Sequence, residues 1–390
     1  MSSAETQTID ITATNAAGIT LDNGPETLTI GPGVLVSSTE QEGVFGNSTD
    51  CELLNFGELF SGTIDGVDFT QNNGTIVNQA GGEIVGATDG VEVAADQPLI
   101  HNLGTIVGFD RGVELGVLSN HAELINGGVI YGHNRGVDEI SFSDGGTIVN
   151  SGTIRSDHVG IHVDTFIGLT TTVINRATGV IEGPDNAIET TSFAGPGEGA
   201  VALTNRGKII GQIQFTSITN DTVVNSGSIQ GKVLLGPGND TFRDIGNGSS
   251  GSVFGGNGDD RLIGGRHNDS LHGGNGDNTL TGGPGADRFF FAAALNGSNV
   301  DTITDFTPAQ GDRMVLSRTD LVGIGTIGTL GAAHFHVGAA VTTAPQVIYT
   351  PGNGFLYYDQ DGSGSTFAPI HFATLMSHPA VTHADFVVEA

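Results

Sequence analysis

Residues 255–291, GGNGDDRLIGGRHNDSLHGGNGDNTLTGGPGADRFFF, place a glycine pair every nine residues. In register the units read GGNGDDRLI, GGRHNDSLH, GGNGDNTLT and GGPGADRFF. Their sixth position holds Asp260, Asp269, Asn278 and Asp287, and their eighth holds Leu262, Leu271, Leu280 and Phe289. Six turn-forming residues followed by three strand residues bury too little to fold alone, so each unit needs copies of itself above and below. Such a chain stacks as a parallel β-roll, and the glycines supply the φ > 0 that its turns demand.

In a roll of this kind one coil takes two nonads, so each loop lies over the loop two nonads later. Stacked sixth-position carboxylates and glycine carbonyls then offer the oxygen-rich, negatively charged cage that a hard cation such as Ca2+ requires. The candidate ligand set is Asp240, Asp260, Asp269, Asn278 and Asp287, with the turn glycines Gly236, Gly238, Gly256, Gly258, Gly265, Gly274, Gly276, Gly283 and Gly285. Asp269 over Asp287 is the expected strongest site. Asp260 over Asn278 keeps the oxygen, loses a charge and should bind more weakly. His267 stands where the other units have glycine and is expected to distort its loop; Asp259 and Asp277 read as solvated charges. LGPGNDTFR (235–243) is a first nonad, and GNGSSGSVF (246–254) is a degenerate turn. The latter matches GxGxxG through Gly246, Gly248 and Gly251, but without a βαβ unit around it no dinucleotide site follows.

A longer period precedes the nonads. HNLGTIVGFDRGVEL (101–115), INGGVIYGHNRGVDE (125–139) and VNSGTIRSDHVGIHV (149–163) carry Asn102, Asn126 and Asn150, 24 residues apart. Related copies start at Asn55, Asn78, Asn175, Asn205 and Asn225. An alternating strand, a turn and a further short strand make each unit one coil of a solenoid. A right-handed parallel β-helix follows, with Ile84, Ile106, Ile130, Ile154 and Ile181 pointing inward. The asparagines form an internal amide ladder that satisfies corner backbone groups.

The remaining composition narrows the partners. A net charge of −30 excludes nucleic acid and anionic membrane as expected partners and favours cations. Without calcium the acidic regions repel themselves and fold poorly. Cys51 is the only cysteine, so no intrachain disulfide forms, and it reads as a small buried residue. The N-terminus lacks the basic and apolar runs of a Sec signal, and no segment is apolar enough to span a bilayer.

The nonads resemble the RTX, or haemolysin-type, calcium-binding repeats of bacterial proteins, and the resemblance extends over residues 235–390. NVDTITDFTPAQGDRMVLS (299–317) is similar to the family's roll-capping segment, and residues 355–388 to its C-terminal region. The resemblance implies export by type I secretion machinery through an uncleaved C-terminal signal, with folding delayed until calcium is met outside the cell. DQDGSGS begins like an EF-hand loop, with Asp359, Asp361, Ser363 and Gly364. Its twelfth position is Ile370 rather than Glu, so it reads as a hairpin turn with an optional weak calcium site.

Aligning the coils gives two polar columns. One holds Asp68, Glu92, Glu114, Asp138, His162 and Glu189; the preceding turn holds Asp110, Asn134, His158 and Asp185, with Arg111 and Arg135 beside the first two. Stacked about 4.8 Å apart, unpaired carboxylates raise each other's pKa. Asp110, Arg111, Glu114, Arg135 and Asp138 are the candidate glycan or metal stripe; the competing reading is a solvated outer face neutralised by the arginines. His101, His121 and His133 read as isolated surface histidines. The Asp-Pro-His run of alginate epimerases, HExxH and GxSxG are all absent.

The expected architecture is all-β. An N-terminal strand or cap (1–27) either covers the first coil or joins a neighbour. A β-helix of about 24-residue coils (28–234), a calcium-binding β-roll (235–291) and a capping and secretion-signal region (292–390) follow. The expected function is a secreted, calcium-stabilised solenoid with a structural or adhesive role in a surface layer, matrix or filament. Its partners are calcium, the secretion machinery, and itself or a surface polysaccharide. The alternative is a polysaccharide lyase, epimerase or glycosidase, or a glycan-binding module without catalysis.

Overall fold

The computed structural model describes residues 7–11, 18–71, 73–94, 96–116, 121–141, 145–165, 168–191, 199–291 and 299–390. Within them the chain is β-strand and turn, with three short 3-10 turns at Pro308–Gln310, Ala332–His334 and His383–Asp385. Two compact units emerge: residues 1–217 with 227–231, and residues 218–226 with 232–390.

The first unit is a parallel solenoid with three strands per coil. Leu99–Asn102, Thr105–Gly108 and Arg111–Leu115 form one coil. They pair in register with Glu123–Asn126, Val129–Gly132 and Arg135–Ser141 of the next. The second of the three sheets has nine strands, from Leu35–Ser38 to Ser228–Gln230. Alternation within each strand sends one residue in two to the interior. The predicted column Ile84, Ile106, Ile130, Ile154 and Ile181 is fully buried and stacked position for position. Ile100, Leu124 and Ile148 of the first sheet, and Val91, Val113, Val137 and Ile161 of the third, fill the rest of the core. Each such side chain contributes roughly 1.5–3 kcal/mol of burial.

The asparagine column is the expected ladder. Each Nδ2 donates to the Oδ1 of the next coil, through Asn55, Asn78, Asn102, Asn126, Asn150, Asn175 and Asn205, at 2.8–2.9 Å. Asn102 Nδ2 also donates to the Val129 carbonyl at 3.0 Å, which binds the ladder to the corner backbone. Sharp corners between second and third strands explain glycines such as Gly108, whose Cβ would stand closer than 3.0 Å to the Arg111 carbonyl. At the N-terminal end Gln7–Ile11 lies parallel to Glu26–Ile30, extending the first sheet by one strand. The remainder of TQTIDITAT, and most of the loop SFAGPGEGA (192–200), lie outside the described residues.

The second unit is a parallel roll with two strands per coil. One ladder runs through Thr222–Asn225, Thr241–Asp244, Arg261–Ile263, Thr279–Thr281, Asp301–Ile303 and Ile370–Leu375. The other runs through Val233–Pro237, Val253–Asn257, Ser270–Asn275, Arg288–Phe291, Arg313–Ser317 and Phe386–Glu389. Leu262, Leu271, Leu280 and Phe289, the eighth-position column, are all fully buried. Beyond the nonads, Asp301–Ile303 and Arg313–Ser317 add a further coil. Gln346–Thr350, Phe355–Asp359 and Ile370–Leu375 then form an antiparallel sheet. DQDGSGS sits in the hairpin joining the last two of these strands.

Candidate calcium site and acidic stripe

Nine turn glycines singled out by the repeat, Gly236, Gly238, Gly256, Gly258, Gly265, Gly274, Gly276, Gly283 and Gly285, all have positive φ, from 94° to 156°. That region is nearly closed to residues with a Cβ. His267 has no positive φ, so the second nonad loop takes a different path at that position. Its ring Nδ1 lies 2.9 Å from the Gly248 carbonyl.

The sixth-position side chains stack as the two-nonad coil requires. On one side the backbone N–H of Asp240 donates to Asp260 Oδ1 at 2.8 Å, that of Asp260 to Asn278 Oδ1 at 2.9 Å, and that of Asn278 to Asp301 Oδ1 at 3.2 Å. On the other, the N–H of Asp269 donates to Asp287 Oδ1 at 2.9 Å and that of Asp287 to Asp312 Oδ1 at 3.0 Å. One carboxylate oxygen therefore ties coil to coil. The second, Oδ2 of Asp240, Asp260, Asp269 and Asp287, is buried with no hydrogen-bond partner. Buried polar atoms without partners are costly and rare, and four of one kind, two in each stack, have a common cause. Each of the last three faces the first glycine of its nonad: a Cβ on Gly255, Gly264 or Gly282 would stand closer than 3.0 Å to the Oδ2 of Asp260, Asp269 or Asp287.

Burial is the main force on these carboxyls. It pushes Asp240 up to about 8, with Asp221 and Asp260 adding to the rise. Asp260 and Asp269 go to about 7, the latter also repelled by Asp244 and Asp287. Asp287 goes to about 6, with Asp312 and Asp305 adding to the rise. Buried, oxygen-only and short of a counter-charge, the two stacks suit a divalent hard cation. Asp269, Asp287, Asp260, Asp240 and Asn278 would hold it, with turn carbonyls completing the shell.

Several members of the site stand outside the ligand positions that the repeat marks. The first-position glycines Gly255, Gly264, Gly273 and Gly282 are legible only as half of each pair. Asp301, Asp305 and Asp312 lie past the last nonad yet close the columns; Asp305 accepts from the N–H groups of Gly282 and Gly283 at 3.0 and 2.8 Å. Asp240 also stacks directly on Asp260, so Asp260 has a carboxylate neighbour as well as Asn278. Asp259 and Asp277 are exposed as expected, and they also build an outer ladder. The Asp277 N–H donates to Asp259 Oδ1 and the Val300 N–H to Asp277 Oδ1, both at 2.8 Å.

A model of the RTX calcium-binding nonapeptide repeat matches residues 254–289 in four copies. The chain carries RTX calcium-binding repeats. No curated protein matches it. The matched repeats all lie in the second unit and imply calcium binding there. Among the described residues no helix is long and apolar enough to cross a membrane.

The first unit brings the second candidate set together. Asp68, Glu92, Glu114, Asp138, His162 and Glu189 occupy successive rungs of the third sheet. Arg111 is the hub: it contacts Glu114, Asp89 at 3.2 Å, Asp138 at 3.0 Å and Asp110 at 3.8 Å. Arg135 donates to Asp138 Oδ2 at 2.7 Å, and His162 Nδ1 lies 2.6 Å from Asp138 Oδ1. The stripe is not a solvated outer face at its centre, because Asp138 is 0% and His162 2% exposed. Although burial alone would raise Asp138, His162 and Arg135 together hold its carboxyl below the usual range. At the N-terminal end of the stripe the opposite holds. Burial and neighbouring carboxylates push Asp68, Asp89 and Glu92 up to about 7. Asp65, Asp89 and Glu92 offer oxygens within 4.8 Å of one another, a grouping the periodic alignment does not reveal because Asp65 and Asp89 lie in the corner. His133 is not isolated: its Nδ1 lies 2.9 Å from Asp157 Oδ2, and its ring stacks on Phe109 and meets the His158 ring edge-on. Cys51 is buried, and burial pushes its thiol up, away from reactivity.

Proposed function

We propose that this RTX-repeat protein is an extracellular, calcium-stabilised solenoid with a structural or adhesive role. It leaves the cell unfolded through a type I secretion route and folds on meeting calcium outside. The observation that carries the self-associating form of this reading is the N-terminal end of the first unit. Gln7–Ile11, Ile19–Leu21 and Leu35–Ser38 each pair on one edge only among the described residues. A strand edge with open N–H and C=O groups is a template for another chain. Among the described residues, three parallel sheets end together at this end of the solenoid and offer three such edges. Negative-stain electron microscopy of chelated protein returned to millimolar calcium tests it. Filaments or sheets that appear only with calcium are expected, and discrete particles at all calcium levels would remove self-assembly.

A second reading, glycan binding, is favoured by a groove on the second sheet. Phe60, Val85, Val107, Phe109, Tyr131 and His133 line a cavity of about 290 Å³, with Phe60 42% and Phe109 72% exposed. Aromatic faces beside polar tips suit sugar rings. The non-catalytic version is the better supported, because Asp138 is already committed to Arg111, Arg135 and His162. Binding to a uronate panel that disappears in Phe109→Ala supports this reading. Turnover that disappears in Glu114→Gln or Asp138→Asn would instead make the protein an enzyme.

A further inference from the structure

In the nonads, Asp240, Asp260 and Asp287 share one arrangement: a backbone N–H donates to one carboxylate oxygen, and the other oxygen is buried and bare. A similar arrangement recurs outside the nonads, in the hairpin that carries DQDGSGS. Asp359, 2% exposed, ends the strand Phe355–Asp359, and its carboxyl accepts the backbone N–H groups of Asp361 and Gly362. Asp361 Oδ2 accepts from the N–H of Thr366 at 2.7 Å and of Phe367 at 3.3 Å. The Oδ1 atoms of both residues are buried and have no partner.

A third bare oxygen arrives from the neighbouring strand. Gln346 lies directly opposite Asp359 in the antiparallel pair, so both side chains leave the same face of the sheet. Gln346 is 0% exposed. Its Nε2 donates to the carbonyls of Thr342 and Ala344 at 2.8 and 3.3 Å, while its Oε1 is buried and has no partner. The turn wraps closely around this amide. Gly362 has φ +58°, and a Cβ there would stand closer than 3.0 Å to Gln346 Nε2 and to the Thr342 and Ala344 carbonyls. Asp359 also lines an open cavity of about 290 Å³ with Ile348, Tyr357 and Pro369, which gives an ion a way in.

We propose that Asp359, Asp361 and Gln346 form a calcium site in the C-terminal hairpin, separate from the nonads. Two carboxylates and a neutral amide oxygen supply two charges and three hard ligands, and the crowded carbonyls around Gly362 supply the character of the remaining shell. Neither of the twelve-residue loop's other requirements, a closing Glu and flanking helices, is needed. The opposite strand delivers the missing ligand.

The chain has no tryptophan and four tyrosines, Tyr131, Tyr349, Tyr357 and Tyr358. Tyr357 and Tyr358 immediately precede Asp359, whereas no tyrosine lies within the nonads, so tyrosine-sensitised terbium luminescence favours the hairpin over the roll, and Asp361→Asn separates the hairpin's emission from that of an ion held near Tyr131 and Asp157. Full-length protein folded in calcium is titrated with terbium under tyrosine excitation. Sensitised emission that calcium competes away is expected, with at least a tenfold weaker terbium midpoint in Asp361→Asn. Asp361 is only partly buried, so this variant should keep its fold, checked by far-UV circular dichroism; Asp359→Asn is the second variant. Emission should survive Asp287→Asn in the roll. Folded wild-type protein without sensitised emission, or a folded Asp361→Asn with an unchanged midpoint, would overturn the hairpin site. Neither result touches calcium binding by the nonads, which circular dichroism follows independently.

Discussion

Replacing Asp269 by Asn should change stability in opposite directions with and without calcium. In the folded chain Asp269 is 5% exposed, and burial, then Asp244 and Asp287, raise its carboxyl from 3.8 to about 7. A factor of ten in proton affinity is about 1.4 kcal/mol, so the ionised buried group costs about 4 kcal/mol in the absence of a cation. The sign follows from proton binding. Between pH 4 and 7 the calcium-free folded chain holds a proton that the unfolded chain has released, so stability falls as pH rises through this window. At pH 8 both states are ionised and the full cost is present; near pH 4 it vanishes. Asp269→Asn should therefore stabilise the calcium-free protein by up to about 4 kcal/mol at pH 8, and hardly at pH 4. In saturating calcium the same change removes a charged ligand and should destabilise, because the ion binds the folded state more weakly. Urea unfolding at both pH values, in calcium and after its removal, measures all four quantities. A variant that is less stable than wild type without calcium at pH 8 would refute the assignment of the bare Oδ2 row as an unneutralised cation site.

Four further substitutions test the rest of the framework. Asn126→Ala breaks the amide ladder between Asn102 and Asn150 and should cost about 1–3 kcal/mol in urea unfolding through the buried groups it strands. Arg111→Ala leaves buried Asp89 without its cationic partner, while Asp138 keeps Arg135 and His162, and should cost about 3–5 kcal/mol, lessened at low pH where Asp89 is neutral; a loss that grows on acidification would contradict the network. Gly274→Ala places a Cβ at φ +97° and closer than 3.0 Å to the Gly256 carbonyl, so a calcium titration followed by circular dichroism should show a weakened folding midpoint, while alanine at exposed Asp277 should show little change.

What the amino-acid sequence determines by itself is everything that recurs at a fixed interval. In a parallel stack the neighbour of a residue is its counterpart one coil away, so a period is already a contact map. For this reason the Ile column, the Asn ladder, the Asp269–Asp287 stack and the φ > 0 glycines could all be read from spacing alone. The tertiary structure decided whatever depends on coverage or on an encounter outside the repeat. The columns of the stripe were legible, but the burial of Asp138 and His162, and hence the ion network they require, was not. Asp301, Asp305 and Asp312 belong to the calcium columns although they stand in no nonad, because the chain after the repeat lies down as one more coil. Gln346 meets Asp359 only because two strands turn antiparallel, and that pairing follows the geometry of the cap rather than any period in the sequence.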